Sequence, residues 1–188
     1  MRELAVLTFT TVDGVMQAPR LADEDRSGGL EGGWASSHWE QVMPQVEQHA
    51  MAEPYDVLLG RKTYELFFPN FSRLGDEHPM NMARKYVVSS SLSAPAWANS
   101  VVIRGDAAAH IAQLKRENGP LLQVHGSWQL VQALIAHDLV DEFRLWTFPS
   151  VVGQGKRLFG DGVPRRALEL VKSAEGPSGV VMRFYRRA

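Results

Sequence analysis

Two rhythms of apolar and polar residues alternate along this chain. Residues 3–10 place Leu4, Val6, Leu7 and Phe9 in a β-rich run and read as a strand. Residues 13–33 keep neither rhythm: Asp13-Gly14 is a turn signal, and RSGGLEGG at 26–33 is polar and glycine-rich. Helical spacing follows over roughly 38–52, where Trp39, Val42, Met43, Val46 and Ala50 recur on one side. Ser36 and Ser37 are candidate caps for this helix, and Pro44 is expected to interrupt it. Strands at 55–59, 85–89, 100–104, 121–125 and 141–148 then alternate with helices at 61–68, near 77–84, at 107–118 and at 128–137. Two last strands, about 167–174 and 179–187, flank EGPSG as a hairpin. This order predicts a three-layer α/β/α fold with a mostly parallel central sheet and an antiparallel C-terminal hairpin.

Composition narrows the class. A chain of 188 residues fits a single domain, residues 1–188, with a sizeable core. A net charge of −1 leaves no nucleic-acid footprint. The absence of cysteine excludes disulfides and thiolate chemistry and suits a reducing, cytoplasmic setting. The start MRELAVLTFTTVDG reads as a strand rather than a signal peptide, and no run reaches the ~18 apolar residues of a membrane helix.

Three strand ends share one chemistry. Gly60-Arg61-Lys62-Thr63 stands where strand 55–59 hands over to a helix, whose N-terminus offers N–H groups and partial positive charge to an anion. Arg61 adds a planar fork suited to phosphate. Ser89-Ser90-Ser91 follows strand 85–89; its hydroxyls could bind phosphate oxygens or simply cap a turn. His125-Gly126-Ser127 follows strand 121–125. Gly126 permits close backbone approach, Ser127 could cap the next helix, and His125 reads as a packed or exposed imidazole. Ligands of open α/β sheets sit beyond the C-terminal strand ends, so the three together point to a nucleotide with several phosphates. Other nucleotide and metal signatures are missing: there is no G-x-G-x-x-G after a strand, no P-loop, no G-x-S-x-G and no zinc-like histidine spacing, so no metal site is expected.

Longer segments carry a resemblance. GRKTYELF resembles the Gly-Arg-x-Thr-aromatic segment of dihydrofolate reductase. TVDGVMQAP at 11–19 is similar to the first-strand Asp-Gly segment of the riboflavin-biosynthesis reductase domain. VHGSWQLVQALIAHDLVDEFRLWTFPSVVGQGKRLF at 124–159 resembles that domain's strand–glycine–helix–LVDE–strand–P-x-x-x-G-x-G-x-x-LF block. The chain thus looks like a stand-alone member of the dihydrofolate reductase-like superfamily, nearest the riboflavin reductase C-terminal domain (RibD C-terminal-like) group. The resemblance implies NADPH as cofactor. It would set Arg61 against the 2′-phosphate or the pyrophosphate, Thr63 against a phosphate at the helix start, Ser89 and Ser90 beside the 2′-phosphate, and Gly126 and Ser127 on the pyrophosphate, with Gly60, Lys62 and His125 also among the cofactor-binding residues. The chain departs from the pattern at His125-Gly126-Ser127, where relatives have paired glycines, and at Val15, where lysine usually follows Asp-Gly. The downstream Asp-Asn-Pro motif is missing too, which speaks against riboflavin synthesis itself.

A reductase needs walls for a flat acceptor and, in some reactions, a proton donor. Trp34, Trp39, Tyr64, Phe67 and Phe68 are candidate walls, with core packing the plainer reading for Phe67; Gln17 could read a ring edge. Asp13 and Glu40 are the candidate catalytic carboxylates, with His38 a third choice and a turn role the plainer reading of Asp13. The expected activity is NADPH-dependent hydride transfer to a pterin-, pyrimidine- or flavin-like heterocycle. The alternatives are a silent NADPH- or pterin-binding protein and a domain without cofactor. Strand 141–148, apolar on both faces, suggests a homodimer, unless it is a central strand buried within one subunit. The segment 23–33 suggests a mobile lid.

Overall fold

A computed structural model describes the backbone of residues 1–188 and every side chain except that of Pro177. The fold class is α/β, with eight strands in a mixed sheet. The chain divides into two compact units, Met1–Val6 with Glu53–Asp141, and Leu7–Ala52 with Glu142–Ala188. Strand β1, Leu4–Thr11, begins in the first unit and ends in the second.

The first unit is a βα-alternating half. Strands β2 (Tyr55–Gly60), β3 (Lys85–Val88), β4 (Ser100–Ile103) and β5 (Leu121–His125) lie in the order β4-β3-β2-β5, with the start of β1 next. The pairs β4-β3, β3-β2 and β2-β5 are parallel. Parallel strands covered on both faces need continuous apolar runs, and Val57, Leu58 and Leu59 are all fully buried. Helices α2 (Arg61–Phe71), α3 (Pro79–Met82), α4 (Ala107–Arg116) and α5 (Trp128–Ala136) connect them. Asp106 caps α4 by accepting the Ala109 N–H at 3.0 Å. Two buried cations complete this unit. Arg2 donates to the Asp56 carboxylate and to Pro120 O. Lys85, with no exposed surface, donates to Asn81 O at 2.7 Å and Ala98 O at 3.0 Å and lies 4.7 Å from the Trp97 ring centre.

The second unit holds helix α1 (Trp39–Ala50) and strands β6 (Glu142–Phe148), β7 (Leu168–Glu175) and β8 (Val181–Arg187). After the end of β1 the order is β6-β8-β7, and both β6-β8 and β8-β7 are antiparallel. Val42, Val46 and Ala50 of α1 share a core with Trp146, Phe148, Met182 and Phe184. Burying such side chains yields roughly 1.5–3 kcal/mol each, which together outweighs the ~3 kcal/mol of a helix proline. Helix α1 therefore runs through Pro44 instead of breaking there. Likewise α2 continues through Pro69 to Phe71.

Two local expectations are corrected. Ser36 and Ser37 do not cap α1: a 3-10 turn, Ser36–His38, precedes it, and its N-cap His38 makes no side-chain cap bond. Ser36 Oγ donates instead to Gly33 O at 2.7 Å. The apolar residues of β6 find partners within their own unit, Phe143 against Phe159 and Trp146 against Phe184. That strand consequently gives no argument for a dimer.

Candidate functional site

In the first unit two strand–helix turns are stitched together. Gly60 is the N-cap of α2, extended at φ −78°, ψ 158°, and no side chain caps the helix. Its N–H donates to Ser127 Oγ at 2.9 Å, while the Ser127 N–H donates to Thr63 Oγ1 at 3.1 Å. Ser127 was expected to cap its own helix. It sits in the left-handed region at φ 54°, ψ 52°, makes no such cap, and sends its hydroxyl to the neighbouring turn. Gly126 is left-handed too, at φ +51°, and a Cβ there would touch Thr63 Cγ2 at 3.4 Å, so the backbone conformation rather than space favours glycine. The result is an uncapped first turn of α2 beside the start of α5, itself without a side-chain cap. Such helix starts attract anions through their N–H groups and dipoles.

Cations stand at the same strand ends. Arg61 accepts no cap role; its Nη1 donates to both Glu65 carboxylate oxygens at 2.9 Å, and the guanidinium is 42 % exposed. Lys62 is exposed. Arg104, at the end of β4, was not foreseen. It donates to Ser90 O at 3.1 Å and Leu92 O at 2.6 Å, so it braces the loop after β3. The signal was available as a cation one residue beyond a strand, but only the parallel β3-β4 pairing puts it beside Ser90. Ser89 is buried, and its Oγ accepts the Leu92 N–H at 2.9 Å, the turn-capping role that its position also allowed.

Other residues of this unit are packed. His125 is buried, hydrogen-bonded to Gln123 Oε1 at 2.7 Å and stacked on Tyr55, so its imidazole points into packing. Tyr64 is buried, and its hydroxyl accepts the Trp97 N–H at 2.8 Å. Phe68 lies against both Tyr64 and Trp97.

In the second unit the long loop is tied down. Gln17 is buried and donates to Asp25 O at 2.9 Å and Ser27 O at 2.8 Å, while its Oε1 accepts the Lys156 N–H at 3.0 Å. Lys156 Nζ donates to Asp25, whose carboxyl burial alone would raise; Lys156 and Ser27 overcome that and hold it down at about 2. Residues 14–16 meet 156–158 in antiparallel fashion, with Met16 N donating to Lys156 O and Leu158 N to Gly14 O. Gly155, at φ +120°, has no room for a Cβ, which would lie 2.9 Å from Val15 Cγ1 and 3.1 Å from Leu30 Cδ2. The expected lid is thus a braced loop in this structure.

Asp13 serves the same bracing. Its carboxylate accepts Thr11 Oγ1 at 2.6 Å and the Gly153 N–H at 2.9 Å, and the Thr11 hydroxyl foremost lowers its pKa. A carboxylate held ionised by donors anchors a loop well and gives up protons poorly. Trp34 donates its Nε1–H to Gln17 O at 2.8 Å and meets Phe148 edge-on at 5.5 Å; His38 meets the same ring at 5.8 Å. Glu40 is exposed on the first turn of α1. Among the described residues no group of His, Asp and Glu gathers that could hold a metal, and no helix is long and apolar enough to cross a membrane.

Comparison with known proteins agrees with the fold. The family model described as the RibD C-terminal domain matches residues 2–182. The uncharacterized protein YyaP of Bacillus subtilis is 29% identical over 166 residues, covering 84% of this chain and 88% of its own length. A second uncharacterized B. subtilis protein, YwjB, is 28% identical over 130 residues, 69% of this chain and 72% of its own. Among solved structures, a provisionally named riboflavin biosynthesis protein of Shewanella sp. PV-4 superposes with a TM-score of 0.66 at 16% identity, over 99% of both chains. A pyrimidine reductase-like protein of Corynebacterium diphtheriae reaches 0.64 at 12% identity, over 100% of this chain and 92% of its own.

Proposed function

We propose a function from one premise: the chain belongs to the RibD C-terminal domain family. On that premise it is an NADPH-dependent reductase that passes hydride to a small planar heterocycle of pterin, pyrimidine or flavin-like kind. The observation that carries this reading is the pair of stitched turns, Gly60–Thr63 with Gly126–Ser127, where helix starts without side-chain caps adjoin. The donor set is N–H groups, a hydroxyl and guanidinium groups, which suits phosphates and little else.

When bound, NADPH supplies the hydride, so the side chains need only bind, orient and exclude water. The first turn of α2 and the Gly126 backbone hold the pyrophosphate. Arg61, with Ser90 and the brace Arg104, flanks the 2′-phosphate. In the second unit Trp34, seated edge-on against the buried Phe148, offers the acceptor an aromatic wall, and Gln17 fixes Trp34 through its carbonyl. Glu40 is the carboxylate left for a proton, since Asp13 is committed to loop residues 152–153. The family match spans both units, which supports reading 1–188 as one reductase domain. A cysteine-free chain suits a cytoplasmic setting.

The test is titration with NADPH, followed by loss of NADPH absorbance with a panel of oxidised pterins, flavins and pyrimidines. Saturable binding with turnover of one class supports the reading. No binding at millimolar NADPH defeats it. The commitment of Asp13 to its loop favours a second reading, a silent binding protein, which would bind NADPH tightly and oxidise it with no acceptor.

A further inference from the structure

We infer that Asn118 is a self-modifying site, where the chain converts its own asparagine to aspartate and isoaspartate and so records its age. The inference is independent of any cofactor. Asn118-Gly119 lies between α4 and β5, and both residues are exposed. The chain has four asparagines, and three have their amides engaged. Asn70 Nδ2 donates to Leu66 O at 2.7 Å, Asn81 Nδ2 to Phe71 O at 2.9 Å and Gly75 O at 2.7 Å, and Asn99 Nδ2 to Asn81 O at 3.2 Å. Among the described residues the Asn118 amide has no such partner, and Asn118 is also the asparagine followed by glycine.

The reaction needs the nitrogen of the following residue to reach the side-chain carbonyl carbon. Among the described residues the Gly119 N–H has no acceptor, so no bond has to break before it turns toward Asn118. Glycine adds no Cβ to block the approach. The Gly119 nitrogen attacks Asn118 Cγ. The new N–Cγ bond closes a succinimide ring, the Cγ–Nδ2 bond breaks, and ammonia leaves with the proton from Gly119. Water then opens the ring at one of its two carbonyls. Opening at Cγ yields aspartate. Opening at the backbone carbonyl yields isoaspartate, whose main chain runs through Cβ and Cγ and is one carbon longer. Neither oxidant nor reductant takes part.

Packing explains why so labile a pair stands here. Gly119 lies against the Arg2 side chain: a Cβ at 119 would sit 3.0 Å from Arg2 Nε and 3.1 Å from Arg2 Cζ. Arg2 cannot easily give way, because its Nε donates to Pro120 O at 2.8 Å and its Nη2 to the Asp56 carboxylate. Residue 119 is glycine to make room for this buried cation, and the same glycine opens the route to the succinimide. At Asp13-Gly14, by contrast, the Gly14 N–H donates to Thr11 O at 2.9 Å and the carboxylate accepts Thr11 Oγ1 at 2.6 Å, which shields that pair. The longer isoaspartate chain shifts Gly119 and Pro120 against Arg2, whose own N–H donates to Lys115 O at 2.7 Å just ahead of β1. Isoaspartate at 118 therefore loosens the first unit, while plain aspartate leaves the backbone as it was.

The test is ageing of the folded protein at body temperature and mildly alkaline pH, followed by peptide mapping. The peptide holding Asn118 should gain the mass difference between NH and O and split into two products. Its rate should fall within about tenfold of that in the urea-unfolded chain, since exposed backbone without hydrogen bonds moves almost as freely. Asn118→Gln, whose longer side chain closes the larger ring poorly, should abolish the change with circular dichroism as in the parent. The isoaspartate form, enriched by chromatography, should unfold at lower urea than both the fresh protein and Asn118→Asp. A folded protein that stays unconverted while the unfolded chain converts overturns the inference. So does conversion at another asparagine with Asn118 intact. An isoaspartate form as stable as Asn118→Asp overturns the link to Arg2.

Discussion

Gly60 gives its N–H to the Ser127 hydroxyl, a residue held in left-handed backbone at φ 54°. Two costs therefore compete at Ser127. Losing the hydroxyl leaves a half-buried N–H without this acceptor, about 1–2 kcal/mol. The left-handed backbone of a non-glycine residue costs roughly 1 kcal/mol. Ser127→Ala should lose stability by the first amount, while Ser127→Gly, relieved of the second, should fall between it and the parent. Urea midpoints decide this, and equal losses would mean that the backbone at 127 carries no strain.

The Arg61–Glu65 pair is exposed on both sides, and such pairs contribute at most about 1 kcal/mol. The guanidinium can leave Glu65 for a phosphate at little cost. Arg61→Ala should weaken NADPH by about 1.5–3 kcal/mol more than NADH, the value of charged hydrogen bonds to a 2′-phosphate. Equal loss for both cofactors would remove Arg61 from that role.

Burial lowers the Lys85 ammonium from 10.5 to about 8. Below about pH 8 both folded and unfolded chains keep the proton, and the full burial cost is present. Between about 8 and 10.5 only the folded chain sheds it, so unfolding takes up a proton and stability rises with pH. The gain should total on the order of 3 kcal/mol by pH 10.5. Lys85→Met should lack this rise. Urea unfolding of both proteins at matched ionic strength checks it, and parallel curves would refute it.

Gln17 is buried with every polar atom of its amide engaged by the loop around it. Gln17→Ala should cost about 2–3 kcal/mol and speed hydrogen exchange across 18–33. Gly32→Ala should do the same by overcrowding, since a Cβ would sit 2.5 Å from Leu21 O and 2.6 Å from Ala18 Cβ. Slow exchange in both variants would show that the loop is held by other contacts.

What could be read from sequence was local. The runs at 55–60 and 121–125 were legible as buried strands because parallel pairing demands unbroken apolar residues, and the helix starts after them were legible from Gly60 and Gly126. Pairings between distant residues were not. Gln17 with Lys156 and Asp13 with Gly153 join positions that no spacing rule connects, so a braced loop looked like a free one. Ser127 misled for a subtler reason: a serine before a helix is ordinarily its cap, and only the left-handed backbone turns the hydroxyl elsewhere. Arg104 stayed hidden because its worth depends on the β3-β4 neighbourhood.

The antiparallel meeting of 14–16 with 156–158 bears on how this scaffold can be re-engineered. Residue 155 must lack a side chain because Val15 and Leu30 fill its space, and Gln17 must be a glutamine because Lys156 and Ser27 both address it. Neither segment is portable by itself. Grafting 13–33 from a relative without its 153–158 would import side chains with no counterparts, whereas exchanging both as a matched cassette would carry the fit along with them.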